Sequence, residues 1–243
     1  MPASSRSTTI LSTLLLLAVS LPAAADWVAG RDMRLHELSL NELDNPNSTV
    51  PAWSYGFKTP TGTFTLFPAG THSNTIYGYQ GYKGYGDGAV LAVNASNVAV
   101  VNNAGFGNLL PVNPGVIVLH PDSIGTQPTV RWTAPAAGQY IGSFQWQDID
   151  PYGGDGGTGH LRLNGTEIQG FAWQNGGGAS GLFDLVLASG DTLDFALGMR
   201  GNWFHDSTRF DATISAVVVP LPASAWLLAG ALAGVVRWGR RRS

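Results

Sequence analysis

The feature that most constrains this chain is a period-two alternation of apolar and polar residues that returns repeatedly through its second half. Between Tyr140 and Asp148, Tyr140, Phe144 and Trp146 share one face with Gly142, while Ser143, Gln145 and Gln147 share the other. Leu161 and Leu163 alternate with His160, Arg162 and Asn164; Leu193, Phe195 and Leu197 alternate with Asp194 and Ala196. Phe210, Ala212, Ile214 and Ala216 repeat the pattern against Asp211, Thr213 and Ser215. Successive side chains of a strand point to opposite faces, so each run reads as a half-buried β-strand. Val116 to Leu119 is apolar without a break and reads as a central strand. Asn164-Gly165 is a strong hairpin signal, Gly190-Asp191 marks a further turn, and the chain carries 32 glycines and 14 prolines. Many short strands divided by frequent turns predict an all-β jelly-roll β-sandwich. Helical spacing is confined to Arg34–Leu43, where Leu35, Leu38 and Leu43 could share a face, which allows one short helix or none. The run GYQGYKGYGDG, residues 78–88, lacks the lysine-serine or lysine-threonine pair that follows a phosphate loop, and any helix after it, and reads as an exposed loop.

The two ends of the 243-residue chain do not belong to this pattern. Arg6, the apolar run Ile10–Leu21 and the small residues Ala23-Ala24-Ala25 have the order of a signal peptide cut after Ala25, so residues 1–25 are expected to be removed by signal peptidase. At the other end, Val219-Pro220-Leu221-Pro222 is followed by an apolar run from Ala223 to Val236 and by Arg237, Arg240, Arg241 and Arg242. As a helix that run spans roughly 21 Å, short of the roughly 30 Å hydrocarbon core, and its arginines hold the C-terminus on the cytoplasmic side. A plain tail anchor is the alternative reading of the same residues.

VPLPASAWLLAGALAGVVRWGRRRS resembles a PEP-CTERM sorting segment, the tail recognised by exosortases in Gram-negative bacteria that make exopolysaccharide. Leu221 stands where the namesake motif has glutamate. The resemblance implies a sorting signal in residues 220–243, with Val219, Pro220, Leu221, Pro222, Arg240, Arg241 and Arg242 as its marks, and an exosortase-type enzyme as partner. It also implies a transient stay in the inner membrane and delivery to the cell surface or the extracellular matrix of a biofilm. A second resemblance covers most of Asn45–Ile214: NPNSTVPAWSYGF, VIVLHP, VRWTAPAAGQY, GDTLDFALG and HDST are similar in style to a secreted jelly-roll module akin to carbohydrate-binding modules. What it implies is a fold and a carbohydrate-rich setting for residues 26–219.

Charge and cysteine narrow the partners. Five of the thirteen basic residues and none of the sixteen acidic ones lie in the two ends, which leaves 8 basic against 16 acidic groups in the middle. Such a surface repels phosphate backbones, which excludes nucleic acid and favours divalent cations. The absence of cysteine removes disulfides, thiol nucleophiles and thiolate metal sites, so stability rests on a hydrophobic core.

Two constellations carry possible chemistry. WQDIDPYGGDGGTGH places Asp148, Asp150 and Asp155 in a glycine-rich turn, where they could hold a structural calcium, the one cofactor expected, although Asx turns account for the same residues without an ion. Trp173, beside Gln174-Asn175 and a glycine run, and Trp203, beside Asn202 and His205-Asp206, read as loop-borne aromatics. With Tyr152 and Asn175 they are the candidate glycan contacts, since rings stack on sugar faces and amides take hydroxyls. Trp132 and Trp146 lie inside strand patterns and read as core. No G-x-S-x-G or H-E-x-x-H motif occurs and glutamates are few, so no catalytic residue is assigned. The sequence thus predicts an exported, non-catalytic envelope or matrix protein associating with polysaccharide. A surface protein that binds another protein is the alternative, and a carbohydrate-active enzyme a remote third.

Overall fold

A computed structural model of the chain describes residues 26–39, 52–68, 72–76, 79–100, 110–150 and 152–217. The expected signal peptide and sorting segment, Val219 included, lie outside the described residues. Fourteen strands and one helix are described, and among these residues no helix is long and apolar enough to cross a membrane.

The last eight strands are β7 (Ile117–His120), β8 (Gln127–Thr133), β9 (Gly138–Asp148), β10 (Gly157–Leu163), β11 (Thr166–Ala172), β12 (Gly178–Leu187), β13 (Thr192–Met199) and β14 (Thr208–Ala216). They form two antiparallel sheets with orders β7-β14-β9-β12 and β8-β13-β10-β11. In this order the chain crosses between sheets at most connections, and the first strand returns beside the last. That is jelly-roll topology, as the alternation and turns predict. The first sheet is extended past β7 by β6 (Ala89–Asn94), β5 (Tyr79–Asp87) and β4 (His72–Ile76), and the second past β8 by β2 (Trp53–Lys58) and β3 (Phe64–Leu66). β1 (Asp26–Val28) lies against Thr213–Ser215 of β14, on the edge whose other end holds β7.

Side-chain alternation explains the core. Tyr140, Phe144 and Trp146 of β9 are buried while Ile141, Ser143 and Gln145 face out, and Phe210, Ala212 and Ile214 do the same for β14. Phe144 and Trp146 meet edge to face at 5.1 Å, and Phe195 meets Phe210 at 5.4 Å, in the offset geometries that aromatic quadrupoles favour. Trp132 is fully buried and meets Tyr140 at 5.0 Å. At the Asn164-Gly165 hairpin both residues have positive φ, 50° and 82°, as a type I′ turn requires, and Asn164 is tied to Asp191 at 2.9 Å.

Four sequence expectations change. The helix, α1, spans Ala29–Ser39 rather than starting at Arg34, because β1 fixes the entry and the Asp32 carboxylate accepts the Val28 N–H at 3.1 Å ahead of the first turn. Its buried face is Ala29, Met33 and Glu37, whereas Leu35 is exposed. Residues 79–87 of the glycine-tyrosine run are strand β5, paired with the fully buried β6; Gly84 comes so near that a Cβ there would collide with the Leu91 carbonyl. β13 is buried on both faces rather than half-buried: Asp194 is covered by a two-pronged ion pair with Arg131, at 2.6 and 2.8 Å, whose guanidinium lies 3.8 Å over the Phe64 ring. The fourth concerns Trp173 and belongs to the site.

Candidate functional site at the loop end of the sandwich

Strand register gathers four loops at one end. Thr208, the first residue of β14, pairs with Asp148, the last of β9, and also faces Leu119 of β7, while Gly178, the first residue of β12, pairs with Gln147. The loops 121–126, 149–156, 173–177 and 200–207 therefore emerge together. Their contacts are close: Gly154, at φ 77°, packs under the 200–207 loop, where a Cβ would collide with the Phe204 carbonyl and lie 3.0 Å from Asp206 Oδ1. A Cβ on Gly153 would meet the His205 ring at 2.6 Å. Glycine is required for that approach and, at Gly154, for the left-handed φ.

Asp148 is 1% exposed and structural: its Oδ1 accepts the Asp150 N–H and its Oδ2 the Gly176 N–H, each at 2.8 Å, so it pins the 173–177 loop to the end of β9. Asp150, 3% exposed, accepts from His205 Nδ1 at 3.1 Å through Oδ2, while its Oδ1 is buried with no hydrogen-bond partner among the described residues. His205 has φ 60°, a left-handed conformation rare for a residue with a side chain, and this aims its ring at Asp150. Asp155 is half-buried and accepts the Asn202 N–H at 3.3 Å. Asp206 is 1% exposed, and neither carboxylate oxygen has a partner among the described residues. Burial, reinforced by Asp155, Asp148 and Asp150, pushes its carboxyl up to about 8. Burial also raises Asp148, against the two N–H donors that favour its charged form. His120 is held below the ordinary imidazole range, chiefly by burial.

The expected glycan contacts divide. Tyr152 is 66% exposed in the 149–156 loop. Trp203 is half-buried, edge to face with His120 at 5.8 Å, and stacks at 4.5 Å on Phe204, which is 56% exposed. Asn175 is exposed in the 173–177 loop. Trp173 stands in the loop as expected, but its ring is not available to a ligand: it is 6% exposed and stacked on Trp146 at 6.2 Å, at 21° between planes, inside the main core. Its faces are covered by protein and offer nothing to a sugar. Phe204 is the aromatic that the sequence reading passed over. The signal was the Trp203-Phe204 pair itself, since the second of two adjacent rings can stack on the first and stay exposed. Asp206 was noted beside His205 but not joined to Asp148, Asp150 and Asp155.

A shallow groove of about 570 Å³ lies apart from these loops, on the outer face of β9, β12 and β14, lined by Ser143, Gln145, Ser180, Leu182, Asp211 and Thr213.

No family model matches the sequence, and no curated protein matches it. Among solved structures the chain is similar to a family 35 carbohydrate-binding module from Clostridium thermocellum, with 14% identity over 52% of this chain and 90% of that one and a TM-score of 0.29. It is also similar to the CBM51 of a Clostridium perfringens GH95 protein, in complex with methyl-galactose, with 12% identity over 49% and 81% and a TM-score of 0.32. Rabbit GITRL shares 12% identity over 69% of this chain and 97% of that one, with a TM-score of 0.29.

Proposed function

We propose that this chain is an exported, non-catalytic envelope or matrix protein whose jelly roll associates with extracellular polysaccharide through the loop end of the sandwich. The observation that carries the reading is the presence of two exposed rings, Tyr152 and Phe204, one on each of two loops that pack against each other, with Trp203 backing Phe204 and Asn202, His205 and Asp155 on the same loops. Exposed rings cost hydration, and their use is to cover an apolar sugar face while neighbouring amides and carboxylates take the hydroxyls. A glycan array of the purified chain tests this: binding is expected to at least one acidic or neutral polysaccharide, with no new reducing ends on prolonged incubation. Export and sorting are part of the same proposal, with residues 1–25 removed and the segment after Val219 processed by an exosortase-type enzyme. Mass spectrometry of the native protein is expected to find Asp26 as the first residue and the terminal arginines gone.

One observation favours a second reading, a surface protein that binds another protein. Leu182 and Val186 of edge strand β12 are 75% and 83% exposed, and Ile141 of the adjoining β9 is 46% exposed. Cross-linking on intact cells with Leu182→Asp and Val186→Asp variants separates the two, since only the protein-binding reading predicts a lost adduct.

A further inference from the structure

The carboxylates at the loop end form an incomplete electrostatic arrangement. Among the described residues Asp206, 1% exposed, has no partner for either oxygen, and Asp150, at 3%, adds an unpartnered Oδ1. Buried polar groups are almost always hydrogen-bonded, and three bare carboxylate oxygens on two loops that pack together are exceptional. Nearby charge worsens their position: the charges acting on Asp206 are those of Asp155, Asp148 and Asp150. Two basic groups of these loops are engaged elsewhere, His205 with Asp150 Oδ2 and Arg200 with the Asp155 carbonyl at 3.5 Å. The Phe204 carbonyl faces the same glycine, Gly154, as Asp206 Oδ1. We propose that Asp206 and Asp150, with the carbonyls around Gly154, bind a divalent cation of the calcium class that ties the 149–156 loop to the 200–207 loop. Among the described residues no three carboxylate or imidazole groups already converge on a single ion, so carbonyls and water complete the shell. Calcium, which accepts six to eight oxygens in flexible geometry, suits such a mixed set; magnesium, which demands a near-ideal octahedron and keeps its own waters, does not. Asp148 is left out of the proposed shell, because each of its oxygens already holds a backbone N–H group. The cation site stands whether or not the aromatic rim takes a sugar.

The test is the thermal midpoint of the purified full chain with calcium chloride, with magnesium chloride and with chelator, no glycan being present. A cation that binds the folded state at about 100 times its dissociation constant should raise the midpoint by about 5–10 °C. Magnesium at the same concentration should give less than half of that shift. Asp206→Asn should abolish the calcium response, while its midpoint in chelator equals or exceeds that of the wild type in chelator, because an amide has no charged form for burial and the neighbouring carboxylates to penalise. Equal wild-type midpoints in calcium and chelator, an equal response to magnesium, or an undiminished calcium response in Asp206→Asn would each overturn the proposal. Should Asp206→Asn fail to fold, calorimetric titration of the wild-type chain with calcium chloride decides: one site per chain supports the proposal and no heat of binding refutes it. Loss of the cation response would leave glycan binding at Tyr152 and Phe204 to be judged on its own.

Discussion

Trp173→Ala separates a core role from a ligand role for the tryptophan that sequence alone assigns to a sugar. The side chain is 6% exposed, stacks on Trp146 and lies against Gly157, whose Cβ, if present, would be 2.8 Å from the indole. Truncating a buried tryptophan to alanine costs about 3–5 kcal/mol in lost transfer energy and residual cavity. Trp173 Nε1 is buried without a hydrogen-bond partner among the described residues, so deleting it relieves a cost of about 1 kcal/mol or more and places the expected loss near the lower end, about 3 kcal/mol. In a domain of this size that lowers the thermal midpoint by about 6–12 °C. The assay is urea denaturation followed by tryptophan fluorescence, run beside Tyr152→Ala, which removes an exposed ring and should change stability by about 0.5 kcal/mol or less. A loss under about 1 kcal/mol for Trp173→Ala, or stability changes of similar size in the two variants, would refute the packing argument and return Trp173 to the ligand-binding candidates.

Three further outcomes are expected. Arg131→Ala strands the Asp194 carboxylate at 2% exposure and should destabilise the fold by about 3–5 kcal/mol in denaturant titration, whereas Asp194→Asn should cost less. Gly165→Ala meets nothing within 4 Å yet keeps φ at 82°, so its cost of about 1 kcal/mol is purely conformational; a neutral result would mean the hairpin adopts another turn. Burial, aided by Arg162 and opposed by Glu167, holds the His160 imidazole below its ordinary 6.5. The unfolded chain therefore takes up that proton first as pH falls, and the stability this group contributes above 6.5 is lost below it. His160→Gln should flatten the corresponding part of the urea-midpoint profile between about pH 7.5 and about 5.5.

How much of this was legible in the sequence depends on whether a residue's neighbours are local. β9 and β14 could be read because alternation of Phe144 and Trp146 with Gln145, or of Phe210 and Ala212 with Asp211, is imposed by the pleat itself. α1 was misplaced because its buried face is built from Ala29, Met33 and Glu37, a small, a flexible and a charged residue that leave no apolar stripe. β5 was hidden by its glycines, which pack against a partner strand that only the fold supplies. Trp173 carried a usable signal: it continues the inward face of β11 two residues beyond Phe171, but the glycines that follow drew the reading toward an exposed ring. Asp206 lies far along the chain from Asp148 and Asp150, and the pairing of Thr208 with Asp148 that joins them cannot be derived from spacing.

The central claim is that the loop end of the jelly roll holds polysaccharide on an aromatic rim. Affinity electrophoresis of the purified chain through gels containing bacterial exopolysaccharides, wild type against the Tyr152→Ala, Phe204→Ala double variant, addresses it most directly. The account predicts that the wild type is retarded and that the double variant, with an unchanged thermal midpoint, runs as it does in a gel without polysaccharide. Equal retardation of the two proteins would contradict it.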